Sequence, residues 1–248
     1  MNINIPTNHP RAKSLHVREL LVKGFKKGLV VPEGLIAHGR GEAFDYLLGE
    51  HTSETARVAA KAASSILLLA NHPVISVNGN VAALCAKEIV ELSRVTGAVI
   101  EVNLFYRTKE REIVIEKEFK KNNAGIVLGI KKSKVSIPKL QSERRRVDLN
   151  GIYKSDAIFV PLEDGDRTEA LVNTGKTVIT IDLNPLSRTA KAAQITVVDN
   201  IIRAIPEMII AAKHLKTKDK SILKKIIEEF DNESNLAESL RIIRGGKW

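Results

Sequence analysis

The pattern of apolar and polar positions changes character near Pro73. Before it, apolar residues recur at helical spacing. Residues 11–28 read as a helix, with Leu15, Leu20 and Phe25 among the recurring positions. Pro32 stands where a second helix can start, and the glycine-rich segment 34–49 follows it. The alanine-rich stretch 52–70 ends in Ile66, Leu67, Leu68 and Leu69, and the high helix propensity of alanine predicts a third helix there. Thr52 or Ser53 can cap it, with Glu54 in its first turn. After Pro73, short β-branched runs alternate with helix-length segments: PVISVN (73–78), AVIEVNL (98–104), GIVLGI (125–130), AIFVPL (157–162), TVITID (177–182) and ITVVD (195–199). Most are apolar on both alternating positions, as strands covered by helices on two faces are. Segments 81–96 and 109–122 have helical spacing, 200–215 is a further helix, and 221–230 begins a polar, amphipathic helical tail.

This alternation predicts an α/β fold: a doubly wound, mostly parallel sheet of about six strands. The expected organisation is one domain over 1–248, with a helical region at 1–70, the strand–helix core at 73–215 and a helical tail at 216–248. No internal repeat and no Pro/Gly/Ser-rich linker divides it. One segment breaks the rhythm. Residues 131–155 hold KKSK, Pro138 and the triplet Arg144-Arg145-Arg146 without clear periodicity. A loop of this length inside a compact domain is uncommon, and is either functional or a solvated basic excursion.

Composition narrows the classes. Of 248 residues, 44% are hydrophobic and 27% charged, which is too apolar for disorder. No run approaches the length of a membrane span, and the N-terminus lacks the apolar core of a signal peptide. A single cysteine, Cys85, excludes an intramolecular disulfide and suits the cytoplasm. The net charge of +10 fits either nucleic acid or small polyanions. Aromatic residues are only 4% and do not interleave with the basic clusters, so stacking on single strands is disfavoured and no nucleic-acid partner is expected.

In open α/β sheets, ligands bind beyond the carboxyl ends of the strands. Three polar clusters fall there. Asn78, Gly79 and Asn80 in VNGN open a helix whose free N–H groups favour anions; a simple Asn-Gly turn is the alternative. Glu163, Asp164 and Asp166 beside Arg167 can hold water-bridged Mg²⁺ or a substrate ammonium group, or simply start a helix. The third cluster is the most informative. Asp182 and Asn184 leave a strand, Pro185 stops it, and Ser187, Arg188 and Thr189 open a short helix suited to phosphate. Asp199 and Asn200 repeat the theme one strand later. Arg40 lies between two glycines that permit close approach, beside His38, while Arg18 reads by itself as a solvated helix position. Common signatures are absent: no GxxxxGK[ST], no GxGxxG after the first strand, no Cys/His cluster and no GxSxG. Spacing alone therefore stops at an anion-binding α/β protein.

The ordered set HPRAKSLHVREL, GLIAHGRGEAFDYLLGE, PVISVNGNVAAL, EVNLFYR, NGIYKSDAIFVPLEDGDRTEAL, GKTVITIDLNPLSRTA and VVDNIIRAIPEM closely resembles the archaeal phosphopantothenate synthetase (4-phosphopantoate–β-alanine ligase) family over about residues 9–212. The tail and residues 131–147 carry no recognisable family signal. The resemblance implies a Rossmann-like homodimer that uses ATP and Mg²⁺ to activate 4-phosphopantoate as an acyl-adenylate, releasing pyrophosphate, before β-alanine attacks and AMP leaves. By matching motifs it places nucleotide contacts on Arg18, Arg40, Asp182, Leu183, Asn184, Arg188, Thr189, Asn200 and Ile201. Under this reading Arg40 and Arg188, with Arg18 and Mg²⁺, cancel repulsion between carboxylate and triphosphate. Asp164 or Asp166 holds the β-alanine ammonium or takes its proton. Asn78, Gly79, Asn80 and the basic loop are the candidates for the acid and its phosphate. Residues that ligate the metal directly are not expected. Two other readings share these features: an ATP-dependent acid–amine ligase with a different acid, and a nucleotide-binding module without chemistry.

Overall fold

The computed structural model describes residues 5, 6, 8–131 and 135–245, so residues 132–134 of the KKSK run and 246–248 of the tail lie outside the described residues. Three helices come first: α1 (Ala12–Lys26), α2 (Pro32–Leu48) and α3 (Glu54–Leu69). Pro32 takes the first position of α2, where its missing N–H costs nothing, and Gly49 closes that helix in the left-handed region at φ 89°. Ser53 caps α3 by accepting the Ala56 N–H at 3.1 Å. Thr52, the other predicted cap, instead donates to Asp199 at 2.7 Å. The alanine face of α3 is fully buried and lets α8 (Ile201–Leu215) approach closely enough for Ser64 Oγ to donate to the Met208 carbonyl at 2.9 Å.

Then β1 (Pro73–Val77), α4 (Gly79–Thr96), β2 (Val99–Val102), α5 (Lys109–Lys121) and β3 (Val127–Leu128) carry the chain to one edge of the sheet. It returns through β4 (Val135–Ser136) and β5 (Arg146–Val147) to β6 (Ala157–Val160). From there α6 (Gly165–Val172), β7 (Thr177–Ile181), α7 (Arg188–Ala192), β8 (Ile195–Val197) and α8 build the other half. All six predicted strands join one parallel sheet in the order β3-β2-β1-β6-β7-β8. The winding direction reverses between β1 and β6, which opens a crevice at their carboxyl ends.

Side chains alternate between the two faces of each strand. Ile75, Phe159 and Ile179 enter the larger core with α3, α4 and α8, while Val74, Ile158 and Val178 enter a second cluster. That second cluster is completed by Ile137, Leu140, Val147 and Ile152, all from the 131–155 segment. The segment is therefore no solvated excursion but an arm that covers the second face of the sheet. It carries a short antiparallel pair, β4 with β5, that the sequence pattern did not announce.

Polar side chains from β2 and the turn after it sew the arm down. Glu101, fully buried, accepts the N–H groups of Asp148 at 2.9 Å and Ile152 at 2.6 Å. A Cβ on Gly151 would collide with that carboxylate, so only glycine fits there. Asn103 donates to the carbonyls of Arg144 at 3.2 Å and Arg146 at 3.0 Å. Burial raises the Glu101 pKa to about 7 against the pull of the Ile152 and Asp148 N–H groups and Arg167.

Two closing helices, α9 (Lys220–Glu228) and α10 (Asn232–Gly245), finish the chain. On the edge strand β8, Thr196 N–H is accepted by Asn232 at 2.9 Å and its carbonyl receives Asn235 at 2.9 Å, so α10 satisfies the strand's open hydrogen-bonding groups. Helix α4 is kinked at Cys85 (φ −140°, ψ 27°), whose thiol is buried and pushed up in pKa by that burial.

Candidate active site

The crevice at the strand ends widens into a cleft of about 1390 Å³. Its walls are α2, the first turns of α4, α6, α7 and α8, the turn after β2, and residues 139–142 and 144 of the arm. On α2 the lining positions are Gly34, Ala37, His38, Gly41 and Phe44, one stripe at helical spacing, with Glu33 and Arg40 at its margins.

The flank beyond β7 and β8 holds most of the predicted nucleotide residues. Asp182 accepts the Asn184 N–H at 2.9 Å and the Ser187 hydroxyl. Ser187 in turn caps α7 through the Ala190 N–H at 2.9 Å, and Asn184 accepts the Leu186 N–H at 3.0 Å. The loop is thus set by its own polar residues before any ligand arrives. Burial raises the Asp182 pKa, opposed by Ser187 and the Asn184 N–H. Thr189 donates to the Glu163 carbonyl at 3.1 Å, joining this loop to the end of β6. Asn200 caps α8 and donates to Asp45 of α2 at 2.7 Å. Arg203 bridges Asp45 and the fully buried Asp199, so α2 is tied to the start of α8.

The cleft gathers Arg40, Asn78, Gly79, Asn80, Asp164, Asp166, Asp182, Leu183, Asn184, Arg188, Thr189, Asn200 and Ile201 around one space. Arg40 has no carboxylate partner among the described residues and points its charge to an exposed position on the wall. Arg188 pairs with Asp166 at 2.6 Å and Glu169 at 2.8 Å, both exposed. Arg18 is the exception. It does not line the cleft; it grips Glu42 at 2.8 Å, on the next turn of α2 after His38. Asn78 and Asn80 line the cleft, but their amide N–H groups go to the carbonyls of Leu162 and Gly34, both at 2.9 Å. Burial lowers the His38 pKa, with Glu42 opposing, so its imidazole is neutral at neutral pH.

Other charged groups take parts that the sequence reading did not assign them. Glu163 joins Arg144 and Arg167, and Arg167, 1% exposed, also donates to Ser76 at 3.1 and 3.2 Å. Arg144 and Arg167 are lowered to about 10 by burial. Arg111 reaches the cleft from α5. No motif marked it, since it sits in a helix whose charged residues read as a solvated face. Glu101 did leave a signal: a carboxylate within an otherwise apolar strand.

Among the described residues, no group of three or more His, Cys, Asp or Glu side chains could hold a metal ion. No helix is long and apolar enough to cross a membrane.

The model of the phosphopantothenate/pantothenate synthetase family matches residues 55–246. The match runs through the C-terminal helices, beyond the point near residue 212 where the recognisable motifs end. The 4-phosphopantoate–β-alanine ligase of Thermococcus kodakarensis is 55% identical over 243 residues, covering 98% of this chain and 93% of that protein. The proteins of the same name from Methanosarcina mazei and Methanospirillum hungatei are 51% and 46% identical, each across 97% of this chain and 94% and 96% of their own length. Likeness of this extent, over a cleft built from the very motifs that carry it, means that the chain belongs to the phosphopantothenate/pantothenate synthetase family.

Proposed function

We propose that this protein joins 4-phosphopantoate to β-alanine with ATP, forming 4′-phosphopantothenate, AMP and pyrophosphate. The observation that carries the reading is a single cleft with two unlike flanks. One is the preorganised loop system of Asp182, Asn184, Arg188 and Asn200; the other is the open start of α4 beside Arg111 and Arg144. A nucleotide on the first flank leaves room on the second for an acid whose carboxylate can reach the α-phosphorus.

A carboxylate oxygen attacks the α-phosphorus and the bond to the β-phosphate oxygen breaks, releasing pyrophosphate. The carboxylate is already ionised and needs no general base. It needs its repulsion from the triphosphate offset, by Arg40, whose charge no carboxylate neutralises, and by Arg188. Mg²⁺ carried in with the nucleotide would supply further neutralisation. The amine of β-alanine then attacks the acyl carbon and AMP leaves. In this reading Asp164, paired with Arg144 at 3.1 Å yet largely exposed, or Asp166, paired with Arg188 at 2.6 Å, holds the ammonium or accepts its proton. Arg18, which does not line the cleft, acts through Glu42 and α2.

The protein acts in the cytoplasm as a homodimer. Ile36, 65% exposed, and Leu47 on the outer side of α2 support pairing through that face, and a light-scattering mass of one chain would remove the dimer. The function is tested by incubating the protein with Mg-ATP, 4-phosphopantoate and β-alanine and resolving products by mass spectrometry. Phosphopantothenate with AMP and pyrophosphate is expected. ADP would keep the substrates and overturn the adenylate; no product from either phosphopantoate or pantoate would overturn the function.

A further inference from the structure

The second flank of the cleft carries positive charge that the fold neutralises only in part. Arg111 is held by two backbone carbonyls, Leu29 at 2.9 Å and Tyr106, with no carboxylate within ion-pairing distance among the described residues. Its Nε is buried without a partner, and burial lowers its pKa, opposed by the nearby Glu33 carboxylate. Gly79 is what admits it: a Cβ there would collide with the Leu29 carbonyl and come within 2.9 Å of Arg111 Nη2. The guanidinium therefore lies against the start of α4, an 18-residue helix whose first-turn N–H groups at Gly79 and Asn80 have no intrahelical acceptor.

Arg144 faces the same space from the arm. It is 8% exposed, its Nε is likewise buried without a partner, and its guanidinium lies 6.0 Å from the centre of the Phe105 ring. Lys139 stands at the rim. Two arginines, a helix start and a rim lysine make a receptor for a dianion, and an aromatic ring beside them suits an apolar group next to that dianion.

We propose that this subsite, formed by Arg111, Arg144 and the first turn of α4, takes the phosphate of the acid substrate and makes Arg111 the residue that selects phosphorylated over unphosphorylated pantoate. The proposal rests on the ligase reading above. Phosphopantoate has a carboxylate at one end, a phosphate at the other and two methyl groups between. With the phosphate on Arg111 and the methyls against Phe105, the carboxylate is directed toward the β7 flank, where the nucleotide loop lies. Arg144 keeps its ion pairs to Glu163 and Asp164 and adds its charge from the arm side of the cleft. The alternative occupant, the pyrophosphate end of ATP, becomes an outcome of the test.

Titration calorimetry of 4-phosphopantoate and, separately, of ATP into the wild-type protein, Arg111→Gln and Lys139→Ala decides it. Loss of one charge-assisted contact predicts a Kd for 4-phosphopantoate raised roughly 30-fold in Arg111→Gln. A rise of about threefold is expected in Lys139→Ala, whose exposed side chain supports no buried contact. The Kd for ATP should stay within about threefold in both, since neither side chain is asked to touch the nucleotide. Inorganic phosphate should compete with 4-phosphopantoate and not with ATP. Weakened ATP binding with unchanged acid binding would assign the subsite to pyrophosphate and overturn the proposal, as would a wild-type protein that binds pantoate as tightly as 4-phosphopantoate. If Arg111→Gln does not fold, Arg111→Lys, which keeps the charge but loses the paired donors, and competition by inorganic phosphate against each ligand decide it. Product formation by the wild type tests the ligase reading separately, so the two failures are distinct.

Discussion

At the scale of single residues, the cleft separates cations by what they already hold. Arg188 is engaged with Asp166 and Glu169, whereas Arg40 has no carboxylate partner among the described residues. Losing a preorganised charge that stabilises the transition state typically costs about a hundredfold to a thousandfold in rate. Arg40→Ala should therefore lower turnover by at least about a hundredfold, as should Arg188→Ala, with far-ultraviolet circular dichroism unchanged because both side chains are exposed. Near-normal rates in both variants would remove them from the chemistry. The motifs that hold Asp182, Asn184, Arg188 and Asn200 were legible in the sequence because they sit where strands end and helices begin, a position that periodicity reveals, and Arg40 was marked by the glycines on either side of it. Arg111 was not, because its role depends on Gly79 and the Leu29 carbonyl, which come from two distant segments.

At the scale of elements, the six parallel strands and the helices between them followed from alternation and length. The arm did not, since strands of two residues have no period to detect. Its order comes from elsewhere, chiefly from Glu101. That group's folded pKa, about 7, lies above the 4.5 of an ordinary glutamate. The native state thus holds the extra proton between these values. The stability contributed is fully present below pH 4.5 and is lost as pH rises through 7, a swing of roughly 3 kcal/mol. Glu101→Gln cannot ionise, so its stability in urea, followed from pH 5 to 8, should lack the decline seen in the wild type. Parallel curves for the two proteins would show that Glu101 does not titrate in this window. The groups acting on it are Asp148 of the arm and Arg167 at the start of α6, together with the Ile152 and Asp148 N–H groups.

At the scale of the whole molecule, we take the chain as one α/β domain, because the larger core draws side chains from α1, α3, α4, α5, α8 and all six strands of the sheet, and α10 locks the β8 edge. The tail that carried no recognisable motif proves to be structural: Asn232 and Asn235 complete a strand, and completing a strand requires only two well-placed amides rather than a long signature. The kink in α4 has a consequence for how this architecture opens. Cys85 is the chain's one thiol, 2% exposed at the kink, on the helix whose first turn borders the acid flank. A thiol whose pKa is raised by burial is nearly inert to alkylation until the structure around it parts. Its labelling rate in native buffer becomes a clock for transient opening of the core, and a ligand held at the α4 start should slow that clock in proportion to its occupancy. Labelling at the speed of a free thiol, unaffected by 4-phosphopantoate, would show that α4 opens on its own, uncoupled from the substrate at its tip.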